Sequence, residues 1–181
     1  MTTRPSPEST VESTAAEAPA ARFHVVQAYY AKPSHAAAVV ALLHAYALDP
    51  AGGGDGLSAF AQAHLVTELA ARPQAFSVLA FDGDQPVGLV NCIEGFSTFA
   101  CRPLVNVHDV VVLAGYRGQR VGEAMLSVVE QLARLRGACK LTLEVLSGNH
   151  SAVRLYERIG FGAYQLDSAM GQAQFFQKQL D

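Results

Sequence analysis

From Arg22 onward the chain alternates short apolar runs with stretches whose apolar residues return at helical intervals. β-Branched and aromatic residues dominate "RFHVVQAYY", residues 22–30, which predicts a strand. In "PSHAAAVVALLHAYAL", residues 33–48, Val39, Leu42, Leu43 and Tyr46 share one helical face behind a proline of the kind a first turn tolerates. "DPAGGGDG" breaks that helix. Leu57, Phe60, His64, Leu65 and Leu69 then mark a second helix, which ends before Pro73. "AFSVLAFDGDQPVGLVNCIEGF" reads as two strands about a turn at Asp82 to Gln85, paired antiparallel.

The second half continues the alternation. "LVNVHDVVVL", residues 104–113, predicts a strand, and a short turn leads from it into a helix carrying Val121, Met125, Val128, Val129, Leu132 and Leu135 on one face. "KLTLEVL", residues 140–146, predicts another strand, and "NHSAVRLYERIGF", residues 149–161, a short helix that aligns Ala152, Leu155, Tyr156 and Ile159. Strand, helix and strand within about 40 residues make a βαβ crossover, so these two strands are expected as parallel neighbours. Residues 162–180 are expected to add a final pair of strands, with "QAQFFQKQL" the last. The elements predict an α/β fold without internal repeats. Residues 1–21, rich in Ser, Thr, Pro, Ala and Glu, cannot bury enough surface to offset ordering; a disordered tail is expected there, with one domain over 22–181.

Composition narrows the classes. The 181 residues amount to one domain with a sizeable core. Half are hydrophobic and 16% charged, with a formal net charge of -3, so the clustered positive charge of a nucleic-acid footprint is missing. No apolar run reaches the 18 or more residues that a membrane helix needs, and the N-terminus lacks the basic and apolar regions of a secretory signal. A cytoplasmic protein with neither a nucleic-acid nor a membrane partner is expected. Cys92, Cys101 and Cys139 form no CxxC pair and leave an odd count, which fits reduced thiols. His64 and Glu68 share a helix face, but two ligands do not make a site, and no metal is expected.

The chemistry concentrates in "YRGQRVG", residues 116–122, which joins the apolar strand to the following helix. A turn that delivers a helix N-terminus beyond the carboxyl end of a parallel strand presents unpaired N–H groups reinforced by the helix dipole, and such a site attracts phosphate. Gly118 allows close backbone approach, Gly122 leaves the first helical turn uncrowded, and Arg117 and Arg120 add positive charge. The pattern is neither GxxxxGK[ST] nor GxGxxG, which weakens the kinase-type and dinucleotide readings. Taken alone, such a turn is more often an ordinary connector.

A second motif sharpens the reading. "YRGQRVG" resembles the pyrophosphate-binding element of the GNAT superfamily of N-acetyltransferases: Gln or Arg, two variable residues, Gly, one variable residue, then Gly or Ala. "NHSAVRLYERIGF" is similar to that superfamily's second signature, and the two stand in the family's order with a strand between them. The resemblance implies a mixed, mostly antiparallel sheet with two parallel central strands and flanking helices. One position departs: Arg120 stands where the family usually has Gly. If that position needs a backbone angle only Gly adopts cheaply, Arg120 is strained; if it is the first turn of the helix, Arg is accommodated and can reach a phosphate. Accommodation is the expectation.

The resemblance also implies roles. Acetyl would pass from acetyl-CoA to an amine by direct attack in a ternary complex. The backbone of Val110, Val111 and Val112 would pair with the pantetheine arm and polarise the thioester carbonyl. Arg117, Gly118, Gln119, Arg120, Val121 and Gly122 would hold the pyrophosphate, with Asn149 and Ala152 on the cofactor side. Tyr156 would protonate the departing thiolate, although helical spacing alone makes it a core residue, and Asn149 serves equally as a helix cap. The attacking amine must be neutral, and Glu144 and Asp109 are the candidate bases, Glu144 through water with Asp109 assisting; a structural acid is the plain alternative for each. "DPAGGGDG" is a loop over the acceptor pocket or a simple connector. Phe96, Phe99 and Arg102 either shape the acceptor side or, for the phenylalanines, pack in the core. An acyl-cysteine route through Cys92 or Cys101 lacks an activating partner. The acceptor is a small amine, a protein N-terminus or a lysine. Two other classes stay open: a non-catalytic acyl-CoA-binding or regulatory module, and a nucleotide-phosphate enzyme using the same turn. A terminal strand could pair two copies in a homodimer.

Overall fold

The computed structural model describes residues 22–164, 169 and 173–180; the expected tail at 1–21 lies outside them. Strand β1 (Phe23–Gln27) leads into α1 (Pro33–Leu48), α2 (Ala59–Ala70), β2 (Ala75–Asp82), β3 (Gln85–Ser97), β4 (Arg102–Val112), α3 (Val121–Leu135), β5 (Leu141–Leu143) and α4 (His150–Arg158). The sheet runs in sequence order, β1-β2-β3-β4-β5. Its first three pairings are antiparallel, and β4 and β5 are parallel, as the crossover required. α1 starts at its proline, and Ser58 caps α2 by accepting from Ala61 N at 3.1 Å. Gly83, at φ 59, turns the β2–β3 hairpin.

Two apolar layers sandwich the sheet. On one face Val121, Met125, Leu126 and Val129 of α3 pack with Phe76, Val78, Val90, Val105 and Val107, and Tyr156 of α4 closes the layer. On the other, Ala38, Val39 and Leu42 of α1 pack on Leu79, Leu89 and Val111, with Leu65, Val66 and Leu69 of α2 at the margin. No residue of α2 is fully buried. Among the described residues no helix is long and apolar enough to cross a membrane, and no group of three or more His, Cys, Asp or Glu is placed to hold a metal. His64 bonds to the Phe60 carbonyl and Glu68 to Arg72.

Several sequence expectations are corrected. The buried face of α3 includes Leu126 and Ala133, while Leu135 is 85% exposed; at about 100° per residue Leu135 lies roughly a third of a turn from the centre of that face. Phe60 stacks on His64 at the surface of α2. Phe96 and Phe99 are exposed near the tip of the β3–β4 hairpin, beyond the cover of the helices. The strand expected over 140–146 shrinks to Leu141–Leu143, because β4 departs from it after Val107. Residues 173–180 form no strand, and Phe175, Phe176 and Leu180 are exposed; their pattern lacks the period-two alternation that a half-buried strand needs. Residues 165–168 and 170–172 of the expected final pair lie outside the described residues.

Candidate active site

The site opens where β4 and β5 part. Their ladder joins Val105–Val107 to Leu141–Leu143, and the next residue, His108, is an insertion: Asn91 faces Asp109 while its neighbour Cys92 faces Val107. From Asp109 to Val112, β4 stays paired with β3 but has no partner on its other side among the described residues. A wedge results, with peptide groups of Val110, Val111 and Val112 along one wall. The inserted residue also reverses side-chain parity. Val105 and Val107 face the α3 layer, as do Val110 and Val112, whereas Val111 belongs to the α1 layer. Asn106 and Asp109 therefore share the α1 face.

Beyond Leu113 a short 3-10 turn, Ala114–Tyr116, leads through residues 117–120 into α3. Gly118 is left-handed at φ +75. A Cβ on Gly122 would stand 3.0 Å from Leu155 Cδ2, so glycine lets the first turn of α3 approach α4. Arg120 immediately precedes α3 at φ 62, ψ 15, and its side chain makes no capping bond. The accommodated first-turn position expected for Arg120 is thus corrected: it adopts the left-handed conformation that glycine takes cheaply, at a cost of roughly 1–2 kcal/mol. Ser58 caps α2 and Asn149 caps α4, but no side chain caps α3. Its leading N–H groups remain for an anion. Glu123 in that first turn is paired with Arg158.

The two arginines differ. Arg117 donates from Nε to the Val112 carbonyl and pairs with Asp49 at 2.8 Å, tying the end of α1 to the loop. Arg120 is exposed and has no side-chain partner among the described residues. Gln119 braces the loop by donating to the Gly115 carbonyl and accepting from Arg22. Val121 is in the core, leaving only its backbone for a ligand.

Tyr156 is 8% exposed, edge-on to Phe161, and burial together with the nearby Tyr46 phenol pushes it up to about 12. Among the described residues its hydroxyl has no hydrogen-bond partner and no partly or fully buried side chain hides an unpartnered polar atom, so that hydroxyl reaches accessible space. Burial raises Tyr46 as well, with the Asp109 carboxylate the next cause. Asn149 accepts from Ala152 N at 3.2 Å, the cap foreseen as its alternative role, and this bond takes the Ala152 N–H. Glu144 is exposed just past β5 and accepts from Asn106 at 3.2 Å. Cys92 is buried, which pushes its thiol up to about 12 and leaves it a poor nucleophile.

Asp109 does not stand alone. It accepts from Asn91 Nδ2 at 3.0 Å, Asn91 Oδ1 accepts from Ser77 at 2.6 Å, and Ser77 Oγ lies 2.8 Å from Tyr30 Oη. Sequence reading missed Ser77, Asn91, Tyr30 and Tyr46. A signal existed for two of them: Ser77 and Asn91 are lone polar residues within the apolar runs "AFSVLAF" and "VGLVNCI".

Comparison with known proteins places this geometry. The model of the acetyltransferase (GNAT) family matches residues 38–161. The chain belongs to the GNAT family. Streptothricin acetyltransferase of Streptomyces lavendulae is 32% identical to it over 105 residues, 56% of the chain and 51% of that enzyme. The chain therefore spans about half the length of this curated relative. Among solved structures, a probable acetyltransferase superposes with TM-score 0.72 at 21% identity, covering 87% of this chain and 99% of that one. An aminoglycoside acetyltransferase from an uncultured soil metagenomic sample, solved with trehalose, gives 0.73 at 14% identity over 88% and 97%. At these identities the structures establish the shared fold, a mixed sheet with a parallel β4–β5 pair and flanking helices.

Proposed function

We propose that this GNAT protein transfers an acetyl group from acetyl-CoA to a primary amine, which is a small amine, a protein N-terminus or a lysine. The observation that carries the reading is the β4–β5 wedge ending at the N-terminus of α3, which no side chain caps among the described residues, with Tyr156 of α4 packed in the same α3 layer. The similarity to streptothricin acetyltransferase supports an amine acceptor. Three free cysteines fit a reducing compartment, and the cytoplasm is the proposed location.

The residues present fit the co-substrate. Leading N–H groups of α3, the Gly118 turn and the free Arg120 guanidinium suit a pyrophosphate, and the edge of β4 at Val110 to Val112, which has no strand beside it on the β5 side among the described residues, suits an extended pantetheine arm. Asn149 keeps its Nδ2 for the same arm while its oxygen caps α4. When bound, acetyl-CoA supplies an electrophilic carbonyl and a thiolate leaving group. The amine nitrogen forms the new bond to carbon as the C–S bond breaks. Peptide N–H groups of β4 stabilise charge on the carbonyl oxygen. Glu144, through water, takes the amine proton, and Asp109 holds the acceptor. Tyr156 is fully protonated at pH 7; against a thiol of about 8.5, complete transfer from a phenol at about 12 is uphill by roughly 5 kcal/mol. Its contribution is therefore a donated hydrogen bond that strengthens as charge builds on sulfur, the proton following as the sulfur is desolvated.

The test is incubation with acetyl-CoA and an amine panel, following thiol release and product mass. Acetylated product from at least one amine is expected. Acetyl-CoA binding with no thiol release for any amine would establish a non-catalytic binding module instead. Glu144→Gln should shift the acidic limb of the turnover-versus-pH profile, and an unchanged profile would exclude Glu144 as the base.

A further inference from the structure

We propose that Asn91, Ser77 and Tyr30 are positioning residues that hold the Asp109 carboxylate in one orientation towards the acceptor amine. The inference rests on the reading above, in which Asp109 meets the acceptor. Ser77 lies directly opposite Asn91 across β2 and β3, and Asn91 directly opposite Asp109 across β3 and β4. All three side chains stand on the α1 face, so the chain of bonds crosses the sheet at one level. Its polarity is set by donor counting. The Ser77 hydroxyl spends its only proton on Asn91 Oδ1, so the contact with Tyr30 must be donated by the phenol. With its oxygen held, the Asn91 amide can present only Nδ2 to Asp109. A flipped amide would set oxygen against carboxylate.

Stability does not call for this arrangement. Ser77 is fully buried and Asn91 is 4% exposed, and the residues flanking them, Phe76, Val78, Val90 and Cys92, are buried and apolar. Replacing both partners of a buried hydrogen bond by apolar groups of similar shape is often neutral or stabilising. The polar chain instead terminates at the half-buried Asp109, beside Val110 at the start of the wedge. Only Oδ2 of Asp109 is engaged; Oδ1 has no partner among the described residues and is left to an ammonium or an attacking amine. A carboxylate pinned at one oxygen loses less freedom when the acceptor arrives, which favours positioning.

The variants are Asn91→Leu, Tyr30→Phe and the matched pair Ser77→Thr and Ser77→Val, which differ only by the hydroxyl. Kanamycin, spermidine, lysine and a short peptide with a free N-terminus serve as acceptors in the full chain, and binding of the same amines to the protein–CoA complex is read by calorimetry. Asn91→Leu should lower acceptor kcat/KM and amine affinity about tenfold to a hundredfold, the range of one hydrogen bond to a charged group, with KM for acetyl-CoA within about twofold. Ser77→Val should lose several-fold and Ser77→Thr should restore it; Tyr30→Phe should show the smallest loss. If Asp109→Asn is impaired while Asn91→Leu keeps parental acceptor kinetics, the positioning role is overturned and the role of Asp109 stands. If Asp109→Asn is itself unimpaired, both readings fall. Equal losses toward acetyl-CoA and acceptor, or no difference between Ser77→Thr and Ser77→Val, would mark a purely structural chain of bonds.

Discussion

Arg120 offers the sharpest test of the cofactor loop. At φ 62, ψ 15 it has the left-handed backbone that costs a non-glycine residue roughly 1–2 kcal/mol, and no capping bond offsets it. Glycine removes that strain but brings about 0.5–1 kcal/mol of extra unfolded-state entropy. Arg120→Gly should therefore exceed Arg120→Ala, which keeps the strain and loses the same charge, by about 0.5–1 kcal/mol. For a domain of this size that is a rise of about 1–4 °C in Tm without ligand. Both variants should bind acetyl-CoA about tenfold to a hundredfold more weakly than the parent, since each loses the free guanidinium, and the gap should narrow in high salt. Thermal unfolding and calorimetry at two salt concentrations provide the measurements. Equal Tm values for the glycine and alanine variants would refute the strain argument, and parental affinity in both would show that Arg120 does not reach the pyrophosphate.

Other outcomes follow from the same geometry. Tyr156→Phe should lower kcat by about a hundredfold or more while KM for acetyl-CoA stays near parental; a loss below threefold would remove Tyr156 from the chemistry. Gly122→Ala drives a methyl to 3.0 Å from Leu155 and should cost about 1–3 kcal/mol along with weaker acetyl-CoA binding, and a parental Tm would contradict the close approach. Burial pushes Cys92 and Tyr156 up to about 12 from ordinary values of 9.0 and 10.0, so between roughly pH 9 and 12 the unfolded chain binds fewer protons than the folded one. Their contribution to stability is complete below pH 9 and lost as pH rises through 12. Cys92→Ala should flatten this alkaline limb in unfolding curves taken from pH 8 to 11, and a limb parallel to the parent's would count against it.

The elements that could be read from sequence are those whose signals are local. Helical spacing over 33–48 and the Asp82–Gln85 turn are set by neighbours within a few residues, the βαβ crossover by three elements in direct succession, and all three appear in the structure. The loop motif pointed to the strand–helix junction, although the backbone angle of Arg120 depends on how the chain enters α3 and could not be inferred from residue type. Single bonds in the chain from Tyr30 to Asp109 bridge up to 47 positions, and the chain exists only because three strands align. Lone polar residues in apolar runs hinted at it. Leu135, Phe96 and Phe99 were misplaced for a related reason: hydrophobicity marks a residue as able to be buried, while the reach of the covering helices decides whether it is.

The inserted His108 carries a consequence for how β4 can change. Up to Val107 the odd-numbered residues serve the α3 layer, and from Val110 the even-numbered ones do, so the strand is read in two frames that meet at a single residue. If the bulge were flattened, so that His108 took a regular place in the pleat, everything downstream would be transposed, sending the acid of position 109 into the apolar layer and a valine to the acceptor face, whereas deleting His108 would leave both faces as they are. With the bulge in place, acceptor chemistry can vary at 106 and 109 without touching the valines that hold the sheet to α3.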